Sequence, residues 1–225
     1  MKFKGLLFAG FGVLAITSSC IKHEIIPAPE PRVELICSFT GKIETYNAEL
    51  TQNVQGYYLE TNKSKIVPPT GMSEAVYYSH IKSNEQPVSV KINIGKMKWD
   101  GSASSDPNIT TFNNFFANNT QPVYTNGAVL GPNNEAGIEI EYRDGQGNIW
   151  KTKDSDASNT FEFKNVVQES DKTGDYSKFV ALFNCKVYHT FVEIVQNPAP
   201  QPPDTIYNEQ SFTITDGVFK GWFKR

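Results

Sequence analysis

Apolar and polar residues alternate along most of this chain, and the alternation predicts strands far more often than helices. Val33, Leu35, Cys37 and Phe39 alternate with Glu34 and Ser38, the period-two signature of a half-buried strand, and Ile36 on the polar side suggests cover on both faces. Strand-like runs follow at 42–46, 56–61, 74–82 and 87–98, with a breaker at Val67-Pro68-Pro69-Thr70-Gly71. In the last run Val88, Val90, Ile92 and Ile94 alternate cleanly with Ser89, Lys91 and Asn93. Between 107 and 117 the period lengthens. Ile109, Phe112, Phe115 and Phe116 recur at helical spacing, with Asp106 as the expected N-cap, Pro107 at the first helical position and Asn118-Asn119 as the stop. Plain core is the ordinary role of these phenylalanines, and a ligand pocket is the sharper one.

Strand logic then resumes. Ile138, Ile140 and Tyr142 share a face, Asp144-Gly145-Gln146-Gly147-Asn148 suits a tight turn, and 148–153 with Trp150 returns antiparallel. Runs at 159–167 and 178–196 follow; the second is long, apolar on both parities at its start and on one parity later. The proline-rich 197–204 cannot join a ladder and forms a protruding loop. Phe212-Thr213-Ile214-Thr215, a turn at Asp216-Gly217, and 218–223 close the chain. These elements predict an all-β fold over 33–225: a single antiparallel β-sandwich, immunoglobulin-like or jelly-roll-like, of nine or ten strands with one short helix near 107–117.

The first nineteen residues break the pattern. Lys2 and Lys4 precede an apolar run from Gly5 to Ile16, and Thr17-Ser18-Ser19 lead into Cys20. This is the layout of a secretory signal, too short to span a bilayer core of roughly 30 Å with its apolar run. Small residues directly before a cysteine resemble a bacterial lipoprotein signal, which implies cleavage after Ser19 and lipidation of Cys20. An ordinary signal followed by a structural cysteine fits the same residues. Residues 20–32, with Pro27, Pro29 and Pro31, read as an extended tether. Ile21, in place of the Asp that retains lipoproteins in the inner membrane, implies outer-membrane anchoring, facing either the periplasm or the cell exterior.

Removing the leader leaves 19 Lys+Arg against 24 Asp+Glu, a net charge of about −5. With no basic block to neutralise phosphates, nucleic acid is excluded as a partner. Cys37 and Cys185 both fall on the apolar parity of their segments, which a disulfide and two separate buried thiols explain equally well.

Candidate chemistry is sparse. His23, His80 and His189 are isolated, so neither a local metal site nor any cofactor is implied. Asp154-Ser155-Asp156-Ala157-Ser158-Asn159 begins like a calcium loop but has Asn159 and Asn165 where Gly and Glu are needed. Aromatic rings remain: Trp99, Tyr57, Tyr58, Tyr77, Tyr78 and Tyr124 are candidates for stacking on a sugar. The paired tyrosines should each place one ring on either sheet face.

The lipoprotein-type leader, the run Ile138-Glu139-Ile140-Glu141-Tyr142-Arg143-Asp144 continuing to Gly147 and Trp150, the run Phe183-Asn184-Cys185-Lys186-Val187-Tyr188, and the ending Thr215-Asp216-Gly217-Val218-Phe219-Lys220-Gly221-Trp222-Phe223 together resemble uncharacterised lipoproteins of Bacteroidota. The resemblance covers the chain from Gly137 onward. It implies an envelope address and a β fold, and it carries no activity. Asp204-Thr205-Ile206 also matches the short acceptor pattern for O-glycosylation in that phylum, with Thr205 as acceptor. The expected function is a non-catalytic outer-membrane or surface lipoprotein, tethered through Cys20, that acts as a binding or envelope-assembly module; the sequence names no ligand, and a glycan or an envelope protein is the candidate partner. A carbohydrate-binding lipoprotein of a glycan-uptake system is the first alternative, and an envelope hydrolase the second.

Overall fold

The alternating runs become eleven strands and one helix in a computed structural model that describes residues 31–101, 105–154, 156–197, 201 and 203–225. The expected leader, Cys20 and the tether as far as Glu30 lie outside the described residues. No helix among the described residues is long and apolar enough to cross a membrane.

In chain order the elements are β1 (Ser38–Ile43), β2 (Tyr46–Thr51), β3 (Tyr57–Ile66), β4 (Ser73–Ser83), β5 (Ser89–Trp99), α1 (Ile109–Asn118), β6 (Val123–Tyr124), β7 (Gly137–Arg143), β8 (Ile149–Thr152), β9 (Thr160–Asp171), β10 (Gly174–Val195) and β11 (Asp204–Lys224). They form one sheet in the order β2-β1-β11-β10-β8-β7-β5-β4-β3, with β9 beside the first half of β10 and β6 beside the start of β7. Every pairing is antiparallel except β6 with β7. The expected two-sheet sandwich is therefore replaced by one continuous ladder curled into a half-barrel. Bulges do the curling. The register shifts in β1–β11, β10–β11, β9–β10 and β4–β5, and each extra residue bends and twists its strand. The concave face closes on itself so far that Gly221 of β11 lies against Leu59 of β3 and Ser79 of β4, strands from the far end of the order.

Three boundaries differ from expectation for identifiable reasons. Residues 33–37 are not a strand. Val33 N donates to Asp171 Oδ2 and Cys37 N to Gln52 Oε1, so side chains satisfy this backbone before the ladder begins at Ser38. Asp216-Gly217 is a bulge inside one long β11 and not a turn between two strands. Asp216 takes a positive φ of 54° and its N–H donates to Asn184 Oδ1. Gly217 is required there, because a Cβ would come within 2.7 Å of the Phe183 ring. The helix is capped by Asn108, whose Oδ1 accepts from Thr111 N at 2.8 Å, while Asp106 takes up Lys63 and Lys65 instead.

The core fills the concave side. Helix α1 plugs one end of it: Phe112 and Phe116 are buried, and Phe116 stacks on Phe223 at 4.6 Å and meets Tyr77 edge-on at 5.6 Å. The helical phenylalanines are thus core, with Phe115 half-buried beside them.

Cys37 and Cys185 are both buried and both free thiols, so the disulfide alternative falls. Cys185 is opposite Ile214, which is opposite Ile43, and Cys37 lies six residues before Ile43. That separation along the strands is roughly 20 Å, where a bridge needs Cα atoms within about 7 Å. Burial pushes the Cys37 thiol up to about 11, and Cys185 higher still, so neither is a nucleophile.

Candidate functional site

Alternation along β3, β4, β5, β7 and β8 sends apolar side chains to the core and the intervening ones to the convex face. The ladder then sets the outward residues side by side. Glu60 is opposite His80, His80 opposite Lys91, Lys91 opposite Glu141, and Glu141 opposite Lys151. A second row runs through Asn62, Tyr78, Asn93 and Glu139. Opposite charges in cross-strand contact stabilise such a row by a few tenths of a kcal/mol to about 1 kcal/mol per pair.

Within this belt the groups hold one another. Lys82 pairs with Glu60, and Tyr78 Oη donates to Glu60 Oε1 at 2.9 Å. Lys91 reaches Glu141 at 3.3 Å and sits over the Tyr78 ring at 4.8 Å; Lys82 sits over the Tyr58 ring at 5.6 Å. Asn93 Nδ2 donates to Glu141 at 2.7 Å, and Lys151 bridges Glu139 and Glu141. Glu139 is buried even on this face, because the short turn at Asn126–Ala128 covers it and Gly127 N donates to its Oε2 at 2.7 Å.

These rows border a cleft of about 330 Å³ lined by Glu60, Tyr78, His80, Lys82, Ser89, Lys91, Glu141, Arg143 and Ile149. Its electrostatics are set by pairing. The Lys82 hydrogen bond, then that of Tyr78, hold Glu60 below the usual carboxylate range. Burial works to raise Glu141, but Lys91, Lys151 and Asn93 outweigh it and hold that carboxyl low as well. Burial, reinforced by Lys91 and Lys82, pushes His80 down to about 4, so its imidazole is neutral at pH 7. Arg143, exposed at the rim, forms no ion pair among the described residues.

A larger hollow of about 580 Å³ opens elsewhere, between the 121–124 segment, β9 and β10, with Asp154, Asp156, Glu162 and Tyr124 among its lining. Its carboxylates do not converge as metal ligands: among the described residues no group of three or more His, Cys, Asp or Glu side chains is placed to hold a metal ion. Asp156 instead closes its own turn, accepting from Ser158 N and Oγ and from Tyr188 Oη. Ser155, part of the calcium-like stretch, lies outside the described residues.

The candidate aromatic platform divides by strand parity. Trp99, Tyr57 and Tyr77 point into the core and are buried, so they present no stacking surface. Tyr58 and Tyr78 stand half-buried on the convex belt, while Tyr124 is separate from them, at the larger hollow, with Oη 3.3 Å from the Thr160 carbonyl. Thr205 is exposed in β11 opposite Ile194. Residue-by-residue reading passed over Glu60, Lys91, Glu141 and Arg143. Their signal was the outward parity of clean strands, where Lys91 and Asn93 in one run complement Glu139 and Glu141 in another, although only the register shows them to be neighbours.

No family model matches this chain, and neither the curated proteins nor the solved structures include a match to it.

Proposed function

We propose that the chain is a non-catalytic, lipid-anchored envelope module that binds a polyhydroxylated ligand, a saccharide, in the convex cleft around His80. One observation carries this reading: donors and acceptors from four strands border one cleft beside the Tyr78 ring. Sugar hydroxyls both donate and accept, so paired Glu and Lys groups with a neutral imidazole and a ring edge suit them. The rigid sheet supports the groups in place, and a binding site so built loses little entropy on occupation. Against hydrolysis stands the direction of the carboxyl shifts. A general acid needs a raised pKa, and Glu60 and Glu141 are both lowered. The leader that directly precedes Cys20 supports the anchor, and Ile21 after it supports the outer-membrane address.

Isothermal titration against a panel of neutral and acidic oligosaccharides tests the reading. At least one member should bind, and Arg143→Ala and Lys91→Met should each weaken it about tenfold or more. A panel without heat overturns the saccharide assignment, and binding unchanged in both variants overturns the cleft.

A further inference from the structure

Charge is not spread evenly over the convex cleft. Three cations line it, Lys82, Lys91 and Arg143, against two carboxylates, Glu60 and Glu141, in a chain whose overall balance is acidic. Both carboxylates are already engaged. Glu60 holds Lys82 and accepts from Tyr78 Oη, while Glu141 holds Lys91 and Lys151 and accepts from Asn93. Asp144 follows Arg143 in the chain but is taken up by its own turn, where it accepts from Gln146 N, Asn148 N and Trp150 Nε1. Arg143 is thereby left without a counter-ion among the described residues.

The residue opposite it is unsatisfied too. Ser89 pairs with Arg143 across β5 and β7, and its parity, shared with Lys91 and Asn93, turns its side chain to the convex face. It is only 6% exposed, yet it lines the cleft and its hydroxyl has no hydrogen-bond partner among the described residues. Directly opposed residues on an antiparallel ladder have Cβ atoms about 5 Å apart, so a hydroxyl and a guanidinium share one corner of the cleft. A guanidinium donates and never accepts. The group that completes the corner is therefore an acceptor, and an anionic acceptor makes the shorter and stronger hydrogen bonds. On the other side of Arg143, Ile149 is directly opposed and 39% exposed, an apolar flank for the C–H face of a sugar ring.

We propose that the cleft selects an acidic saccharide, whose carboxylate is held between Ser89 Oγ and the Arg143 guanidinium at the corner of β5 and β7. This rests on the saccharide reading of the cleft and adds the charge of the sugar. A neutral sugar leaves the guanidinium without an anion and forgoes the charge-assisted pair.

Isothermal titration of the full chain carrying Cys20→Ser, which takes lipid out of the measurement, is the test. The probes are trigalacturonate, trimannuronate and a hyaluronan tetrasaccharide, each beside its carboxyl methyl ester, together with neutral oligosaccharides. At least one acid should bind about tenfold or more tightly than its ester, and the ratio should narrow as salt rises from about 50 to 500 mM. Arg143→Gln should bring that ratio to within about twofold, Ser89→Ala should lower it about threefold or more, and Arg143→Lys should keep a preference for the acid. The ratio reads recognition of charge alone, so a general loss of sugar affinity does not move it. Esters or neutral sugars that bind as tightly as every acid overturn the proposal and leave the saccharide reading standing. A preference for acid that survives Arg143→Gln overturns the corner. No heat from any sugar, acidic or neutral, overturns the saccharide reading and the proposal with it.

Discussion

Removing the Phe116 ring tests whether α1 is a structural plug, and the size of the effect can be worked out in advance. Phe116 is 2% exposed, stacks on Phe223, and meets Tyr77, Phe112 and Phe115 at ring-centroid distances of 5.6, 5.0 and 5.1 Å. Phe116→Ala deletes a fully buried ring and leaves a cavity bounded by β4, β11 and the helix itself. Such deletions cost about 3–5 kcal/mol, and the four aromatic neighbours place this one in the upper half of that range. For a domain of this size each kcal/mol moves the midpoint by about 2–4 °C, so melting should fall by roughly 8–20 °C. Ile109, on the same helix but 42% exposed, is the control, and Ile109→Ala should cost about 0.5 kcal/mol or less. Urea unfolding followed by tryptophan fluorescence and by circular dichroism measures both. If Phe116→Ala cost less than about 1 kcal/mol, or no more than the control, the helix would not be part of the core and the packing argument would fail.

Acidification should destabilise the fold through His80. Its folded pKa of about 4 lies below the unfolded value near 6.5, so the unfolded chain binds the extra proton and stability is lost as pH falls through that window, by up to about 3 kcal/mol before solvent screening. His80→Gln should flatten the unfolding midpoint between pH 6.5 and 4; an unchanged slope would assign the loss to other groups. Tyr77 Oη is buried with no hydrogen-bond partner among the described residues, so Tyr77→Phe should leave stability unchanged or raise it by about 1 kcal/mol, as calorimetry would show. Iodoacetamide should label Cys37 and Cys185 in denaturant without any reductant and leave both untouched in the native protein; peptide mapping that finds them joined would contradict the strand register. Cys20→Ser should move the protein from the detergent phase to the aqueous phase in a partition assay, and persistence in the detergent phase would remove the lipid anchor.

Alternation alone determined most of the strands, the division of each tyrosine pair between the two sheet faces, the hairpin across Asp144–Asn148 and the helical stretch that ends at Asn118, because burial of one sheet face is written directly into a period of two and a helix into a period near 3.6; that Tyr57 and Tyr77 are the inward members came from the structure. Periodicity reports which side of a strand is covered. It is silent on what covers it. A run buried against a second sheet and a run buried inside a curl have the same pattern, so one half-barrel in place of a sandwich was decided by the bulges in β5, β9 and β11, whose positions depend on the strands they pair with. The convex cleft was hidden for the same reason. Glu60, His80, Lys91 and Glu141 come from four separate runs, and only pairing in register makes a row of them. The two cysteines share a parity because both face the core, yet the ladder holds them far apart: a strand's pattern fixes the face on which a residue lies, and its partners fix the position along that face.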